Sequence, residues 1–248
     1  MAAVLKAIED GADWVEIDVQ ETADGEVIVA HDSDFMKLAG VALKVWNATM
    51  ADLASIDIGS SFDPAYAAER TPTLRDVLLA ARGKSSVMIE LKYYGHDVDL
   101  ENRVARIVEE TGMTDQIAVM SLKLPMVEKM RGLRPGWRTG ILAARAVGDL
   151  SKLDTDYIAV NTGQVSVGLI KRTKAAGKQL YVWTVDDPVT MSRMISMGVD
   201  GLISNQPALA RQVIDQRNAL SAPERLLLWV ADSFGIGSFR LVANEQDA

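Results

Sequence analysis

The chain opens with apolar residues at Val4, Leu5 and Ile8, spaced along one helix face, and stops at Gly11, which predicts a helix over residues 1–10 with a glycine C-cap. The period then changes. From Trp14 to Gln20 apolar and polar residues alternate as they do in a strand, so that Val15, Ile17 and Val19 share one face while Glu16 and Asp18 share the other. Ala23-Asp24-Gly25-Glu26 interrupts this pattern with an Asp-Gly turn signal, and Val27 to Ala30 reads as a returning strand that ends in His31-Asp32. Pairing Thr22 with Val27 across that turn would set His31 opposite Asp18, bringing two carboxylates and a histidine to one spot.

Residues 35–68 lose periodicity. Gly40, Gly59, Ser60, Ser61 and Pro64 break up short apolar pieces, which predicts a long excursion with at most a short helix near Thr49–Ile56. Strands and helices alternate from Thr73 onward. Predicted strands begin at Ser86, Ile117, Arg138, Tyr157, Gln179 and Asp200, and predicted helices cover residues 98–111, 124–132, 146–152, 166–176, 188–197 and 207–219. With the strand at Trp14 this makes seven strand–helix units, the signature of a parallel sheet with helices outside. Seven is one short of a closed barrel, and the helix at residue 1 has no N-cap residue before it. The predicted fold is therefore α/β, a (β/α)8 barrel whose first strand is missing from this chain. An open doubly wound sheet would call for a glycine-rich phosphate loop after an early strand, and none is present. The barrel should occupy residues 1–220, leaving 221–248 as a C-terminal helix and tail that starts with a capping box at Ser221 and Glu224 and carries an apolar stretch from Leu226 to Phe234.

Composition narrows the partners. The 248 residues are 48% hydrophobic and carry a net charge of −8, which suits a globular core and argues against a nucleic-acid partner. No apolar run is long enough to span a bilayer and no signal peptide is present, so the chain as given is expected to be soluble. With no cysteine, disulfides and thiolate ligands are excluded, and any bound metal must take oxygen or imidazole ligands.

The strand Ser86–Lys92 adds a third carboxylate. Val87, Ile89 and Leu91 form its aliphatic face, which belongs against the helices, and Glu90 and Lys92 lie on the other, which lines a barrel interior. By the same argument Glu16 and Asp18 face inward. Three carboxylates confined at the C-terminal ends of neighbouring strands need a counter-charge, because an unpaired buried charge costs several kcal/mol. A divalent cation held by Glu16, Asp18 and Glu90 supplies it, with Mg2+ or Ca2+ suited to oxygen ligands. The alternative is that Glu90 and Lys92 simply pair with one another.

These residues also resemble a known family. Gly11-Ala12-Asp13, Glu16-x-Asp18, Thr22-x-Asp24-Gly25, His31-Asp32, Glu90-Leu91-Lys92, Val182-Trp183-Thr184-Val185 and the run Gly198 to Ser204 closely resemble the glycerophosphodiester phosphodiesterases, over nearly the whole chain to about residue 215. The resemblance implies a barrel of the phospholipase C-like phosphodiesterase type and hydrolysis of glycerophosphodiesters to sn-glycerol 3-phosphate and an alcohol, in glycerophospholipid metabolism, with a divalent cation. It further implies Glu16, Asp18 and Glu90 as metal ligands, His31 as one of two acid–base histidines, Lys92 as a phosphate contact and Trp183 as part of the wall for the glycerol moiety. A non-catalytic metal- and phosphate-binding barrel, or a hydrolase of another phosphodiester, would share these features.

The pattern departs from the family at its start. The family's His-Arg-Gly and Glu-Asn-Thr motifs do not occur, and His96 lies past its strand end and is no substitute. The expectation is an N-terminally truncated chain with impaired activity, in which a neighbouring molecule could lend the absent strand and form a homodimer. Glu90 to Asp97 is similar in wording to bacterial members that carry a transmembrane region, implying a membrane-anchored parent.

Overall fold

The computed structural model describes residues 1–145 and 148–233. Part of the helix expected near 146–152 and the tail beyond residue 233 lie outside the described residues. The chain divides into two compact units, Met1–Ile141 and Leu142–Ala248.

In the first unit the elements run α1 (Ala2–Glu9), β1 (Trp14–Glu21), β2 (Val27–Val29), β3 (Asp34–Phe35), α2 (Met36–Ala39), β4 (Val41–Lys44), α3 (Met50–Leu53), α4 (Leu74–Ala81), β5 (Ser86–Leu91), α5 (Leu100–Glu110), β6 (Ile117–Ser121), α6 (Leu124–Leu133) and the first residues of β7 (Thr139–Ala143). The sheet order is β2-β1-β5-β6-β7, with β1, β5, β6 and β7 parallel and β2 antiparallel to β1. The expected division of faces holds. Val15, Ile17 and Val19 of β1 and Val87, Ile89 and Leu91 of β5 join Leu74, Val77 and Leu78 of α4 and Val104 and Val108 of α5 in one buried cluster. Each such aliphatic chain contributes about 1.5–3 kcal/mol by leaving water, which fixes the strands' orientation and commits their even-numbered residues to the opposite face. Thr73 and Asp76 close a capping box at the start of α4, and Thr49 and Asp52 do the same for α3.

Two expectations need correction. The excursion carries more order than its composition suggested. Its β3–β4 hairpin is tied by Lys44 to Asp34 at 2.5 Å, and Phe35, Val45, Ala48, Leu53 and Ile56 form a small core with Ile28. The β1–β2 hairpin is shifted by one residue. Its pairs are Val19 with Val29, Gln20 with Ile28 and Glu21 with Val27, so Thr22 lies opposite Glu26 and not Val27. The reason is a three-residue loop. Gly25, with φ +82°, takes the left-handed position, its N–H donates to Thr22 O (3.0 Å), and the Thr22 hydroxyl both accepts from Glu26 N (2.9 Å) and donates to Asp24 Oδ1 (2.6 Å).

The second unit holds β8 (Tyr157–Asn161), α7 (Val167–Ala175), β9 (Gln179–Trp183), α8 (Pro188–Met197), β10 (Gly201–Leu202), α9 (Pro207–Ala219) and α10 (Ala222–Ser233). Its strands β8, β9 and β10 are parallel and adjacent in that order. Glycine is required at 201, where a methyl group would overlap the Tyr181 ring. Val182, Val185, Met191, Met194 and Val213 form its core, and α10, capped by Ser221 and Glu224 as the sequence indicated, packs on α8. No described helix is long and apolar enough to cross a membrane.

Candidate active site

The carboxylates meet because two strands run parallel in one register. Asp18 is the direct neighbour of Glu90, and period two places Glu16 on the same face as Asp18. One oxygen from each of Glu16, Asp18 and Glu90 lies within 4.8 Å of the others. Lys92 follows the end of β5, where its backbone N–H still donates to Val19 O (3.1 Å). Its ammonium lies 3.1 Å from Asp18 Oδ1 and 2.9 Å from Glu90 Oε1. The pairing of Glu90 with Lys92 weighed from sequence is therefore present, and it extends to Asp18.

Burial sets the electrostatics. Glu90 and Lys92 keep 5% and 12% of their side chains exposed, so none of these charges is well hydrated. Burial, reinforced by the Asp18 and Glu90 charges, pushes Glu16 up to about 8. Burial also pushes Glu90 up to about 7, with Asp18 adding to the shift and Lys92 opposing it. For Lys92 burial works against the charged form, but Asp18 and Glu90 outweigh it and hold its pKa above the ordinary value. Once all three carboxylates are ionised, one ammonium leaves two negative charges, the amount one divalent cation cancels. An all-oxygen donor set at this spacing fits a hard cation such as Mg2+ or Ca2+.

His31 is placed differently from the expectation. The one-residue shift puts Ala30 opposite Asp18, with Ala30 N donating to Asp18 O (3.0 Å), and His31 continues beyond the paired strand. Its ring is 68% exposed, and Nδ1 lies 2.7 Å from Asp32 Oδ1. Side chains hold the turn. Gln20 Nε2 donates to Ala30 O (2.7 Å) and Asp32 O (2.8 Å), and Tyr94 Oη donates to His31 O (2.9 Å). Burial raises the Tyr94 pKa. Sequence reasoning passed over both residues, although Gln20 is the third polar position on the face that carries Glu16 and Asp18.

His96 stacks on Trp46 with ring centroids 4.1 Å apart. Trp183 ends β9 in the second unit, and its buried indole N–H has no hydrogen-bond partner among the described residues.

A model of the glycerophosphoryl diester phosphodiesterase family matches residues 1–209. The chain is 28% identical over 222 residues to a glycerophosphodiester phosphodiesterase of Caldanaerobacter subterraneus, covering 84% of this chain and 88% of the relative. It is 25% identical over 224 residues to one of Bacillus subtilis, covering 82% and 76%. Among solved structures it is similar to an Oleispira antarctica phosphodiesterase in complex with the product sn-glycerol-3-phosphate, at 22% identity with a TM-score of 0.80 over 86% of this chain and 90% of that one. It is also similar to the Agrobacterium tumefaciens glycerophosphodiester phosphodiesterase, at 26% identity with a TM-score of 0.73 over 84% and 91%. These likenesses bear out the (β/α)8-barrel class read from the strand–helix alternation.

Proposed function

The chain belongs to the glycerophosphoryl diester phosphodiesterase family, and on that premise we propose that it hydrolyses glycerophosphodiesters to sn-glycerol 3-phosphate and an alcohol at the Glu16–Asp18–Glu90 cluster. The observation that carries this reading is the convergence of those three carboxylates within 4.8 Å, with Lys92 bridging Asp18 and Glu90.

In this reading Glu16, Asp18 and Glu90 hold Mg2+ or Ca2+. When bound there, the cation supplies polarisation of a phosphate oxygen and cancels the excess negative charge. Lys92, whose ammonium lies beside Asp18 and Glu90, would contact the phosphate and offset the negative charge that builds on its oxygens as the bond to the alcohol breaks. This is how an acidic protein accepts an anionic diester. His31 passes a proton to or from the oxygen of water or of the departing alcohol, with Asp32 orienting its Nδ1. By the family resemblance, Trp183 would contribute an aromatic wall for the glycerol group.

The test is turnover of glycerophosphocholine against bis(p-nitrophenyl) phosphate, each with and without Mg2+ or Ca2+. Cation-dependent cleavage that favours the glycerol diester supports the reading. Cation binding with no cleavage of either compound means a binding barrel, and preference for the synthetic diester means a different natural substrate.

A further inference from the structure

Along Ala30 to Asp32 the β1–β2 pairing runs out: Ala30 N still donates to Asp18 O (3.0 Å), and past it the sheet no longer dictates the course of His31 and Asp32. Three consecutive carbonyls there accept from side chains instead of from a neighbouring strand. A primary amide carries two N–H donors, and Gln20 uses its amide nitrogen on the carbonyls of Ala30 and Asp32, at 2.7 and 2.8 Å. The carbonyl between them, that of His31, is 3.4 Å from Gln20 Nε2 and 2.9 Å from the Tyr94 hydroxyl. Gln20 is only 2% exposed, and burying its amide is costly unless the donors are satisfied. The residue is also well placed to act as a ruler. It stands on β1 two positions beyond Asp18 and four beyond Glu16, and its own backbone is paired with Ile28. Fixing the 30–32 segment to Gln20 therefore fixes it relative to the carboxylates. Packing does not do this, because the imidazole is mostly exposed and its polar contact among the described residues is to Asp32, which rides on the same segment.

We infer that Gln20 and Tyr94 are positioning residues that clamp the backbone on either side of His31 and so set where its imidazole stands relative to the carboxylate cluster. The purpose of the clamp rests on the reading of His31 as the acid–base group. A proton-transfer group must be held in hydrogen-bond reach of its oxygen, and a displacement of about 1 Å can cost about 10²-fold in rate.

Two substitutions probe the clamp. Tyr94→Phe removes the hydroxyl and keeps the ring beside Trp46, and Gln20→Met keeps the length and burial of the side chain without its donors. The expected loss in kcat is about three- to tenfold for Tyr94→Phe, the scale of one hydrogen bond, and about 10²-fold for Gln20→Met. KM and cation affinity should stay at the unsubstituted values. In a His31→Ala background neither change should cost anything further, whereas a role in general folding would cost the same in both backgrounds and would overturn the proposal. A second measurement does not need activity. The chain has two histidines, so its imidazole NMR spectrum contains two sets of signals, with those of His31 identified by their loss in His31→Ala. Those signals should shift or broaden in both variants, while His96 is unmoved in Gln20→Met. Unmoved His31 signals would overturn the clamp, even in an active enzyme. Moved signals in a chain that cleaves no diester would support the clamp and reject only the acid–base reading.

Discussion

The carboxylate cluster and the His31 turn both adjoin β1, one through its pairing with β5 and the other just past its pairing with β2, yet they are held by different means. Glu16, Asp18 and Glu90 sit within paired strands, so their spacing follows from strand period and parallel register, and their burial raises the pKa of Glu16 and Glu90. His31 lies past the last pair, mostly exposed, on a turn held by two side-chain clamps. The charged half of the site is thus fixed by the sheet and electrostatically loaded, while the histidine half depends on a few directional bonds. Substitutions in the first should change cation binding and pH response, and substitutions in the second should change rate alone.

The largest test of this contrast is His31→Ala. Turnover of glycerophosphocholine should fall by about 10²–10⁴-fold while calorimetric titration with Mg2+ or Ca2+ gives the unsubstituted affinity. Retained turnover would place the proton transfer elsewhere. The converse is Asp18→Asn or Glu90→Gln, which should weaken the cation by more than the roughly 10–100-fold typical of losing an outer-shell partner, with the fold intact by circular dichroism. Equal affinity in both variants would remove the metal centre from this cluster.

The pH response sharpens the comparison further. Glu90 near 7 and Glu16 near 8 must lose their protons to bind a cation, so affinity should climb as pH rises through that window. Stability of the cation-free protein should move the other way. The native pKa values lie above the ordinary carboxylate value of 4.5, so the native state holds these protons more tightly than the unfolded chain. The stability they contribute is complete at pH values below 4.5 and is lost as pH rises through 7 and 8. Thermal melts across that range should show this decline without cation and its disappearance with saturating Mg2+. Glu16→Gln removes the most strongly shifted charge, so its cation-free melting temperature should exceed that of the unsubstituted chain in alkaline buffer and match it in acid. A higher melting temperature at every pH would point to packing as the cause.

The smallest expected effect concerns the loop that sets the hairpin register. Gly25→Ala places a β-carbon in a left-handed position and against the Arg103 guanidinium, which is itself bound to Glu21 and to Gly25 O. It should cost about 1–2 kcal/mol of stability by chemical denaturation and leave cation affinity untouched. A change in affinity would mean that the turn, and not the β1–β5 pairing, locates the carboxylates.

Much of this was legible in the chain. Alternation in β1 and β5 put Glu16 with Asp18 and Glu90 with Lys92, because a strand sends successive side chains to opposite faces and the aliphatic face has only the helices to pack against. The capping pair at Ser221 marked its helix start, since it is a local exchange of hydrogen bonds within four residues. Harder to read was the excursion, where the β3–β4 hairpin depends on the apolar cluster around Phe35 and Val45 and not on periodicity.

What the sequence determined by itself was therefore set by short-range rules: the elements, their faces and the identity of the charged residues. Tertiary structure decided the rest. The hairpin register turned on whether the Thr22 hydroxyl closes a three-residue loop at Gly25, a choice between turns that the Asp-Gly signal alone leaves open. Lys92 reaches both Asp18 and Glu90 only because β1 and β5, separated by more than sixty residues of chain, lie side by side in one register. Gln20 and Tyr94 came to hold His31 for the same reason. Side-chain bonds to a backbone distant in sequence leave no periodic trace, because their partners are chosen by where the folded chain passes and not by what precedes them.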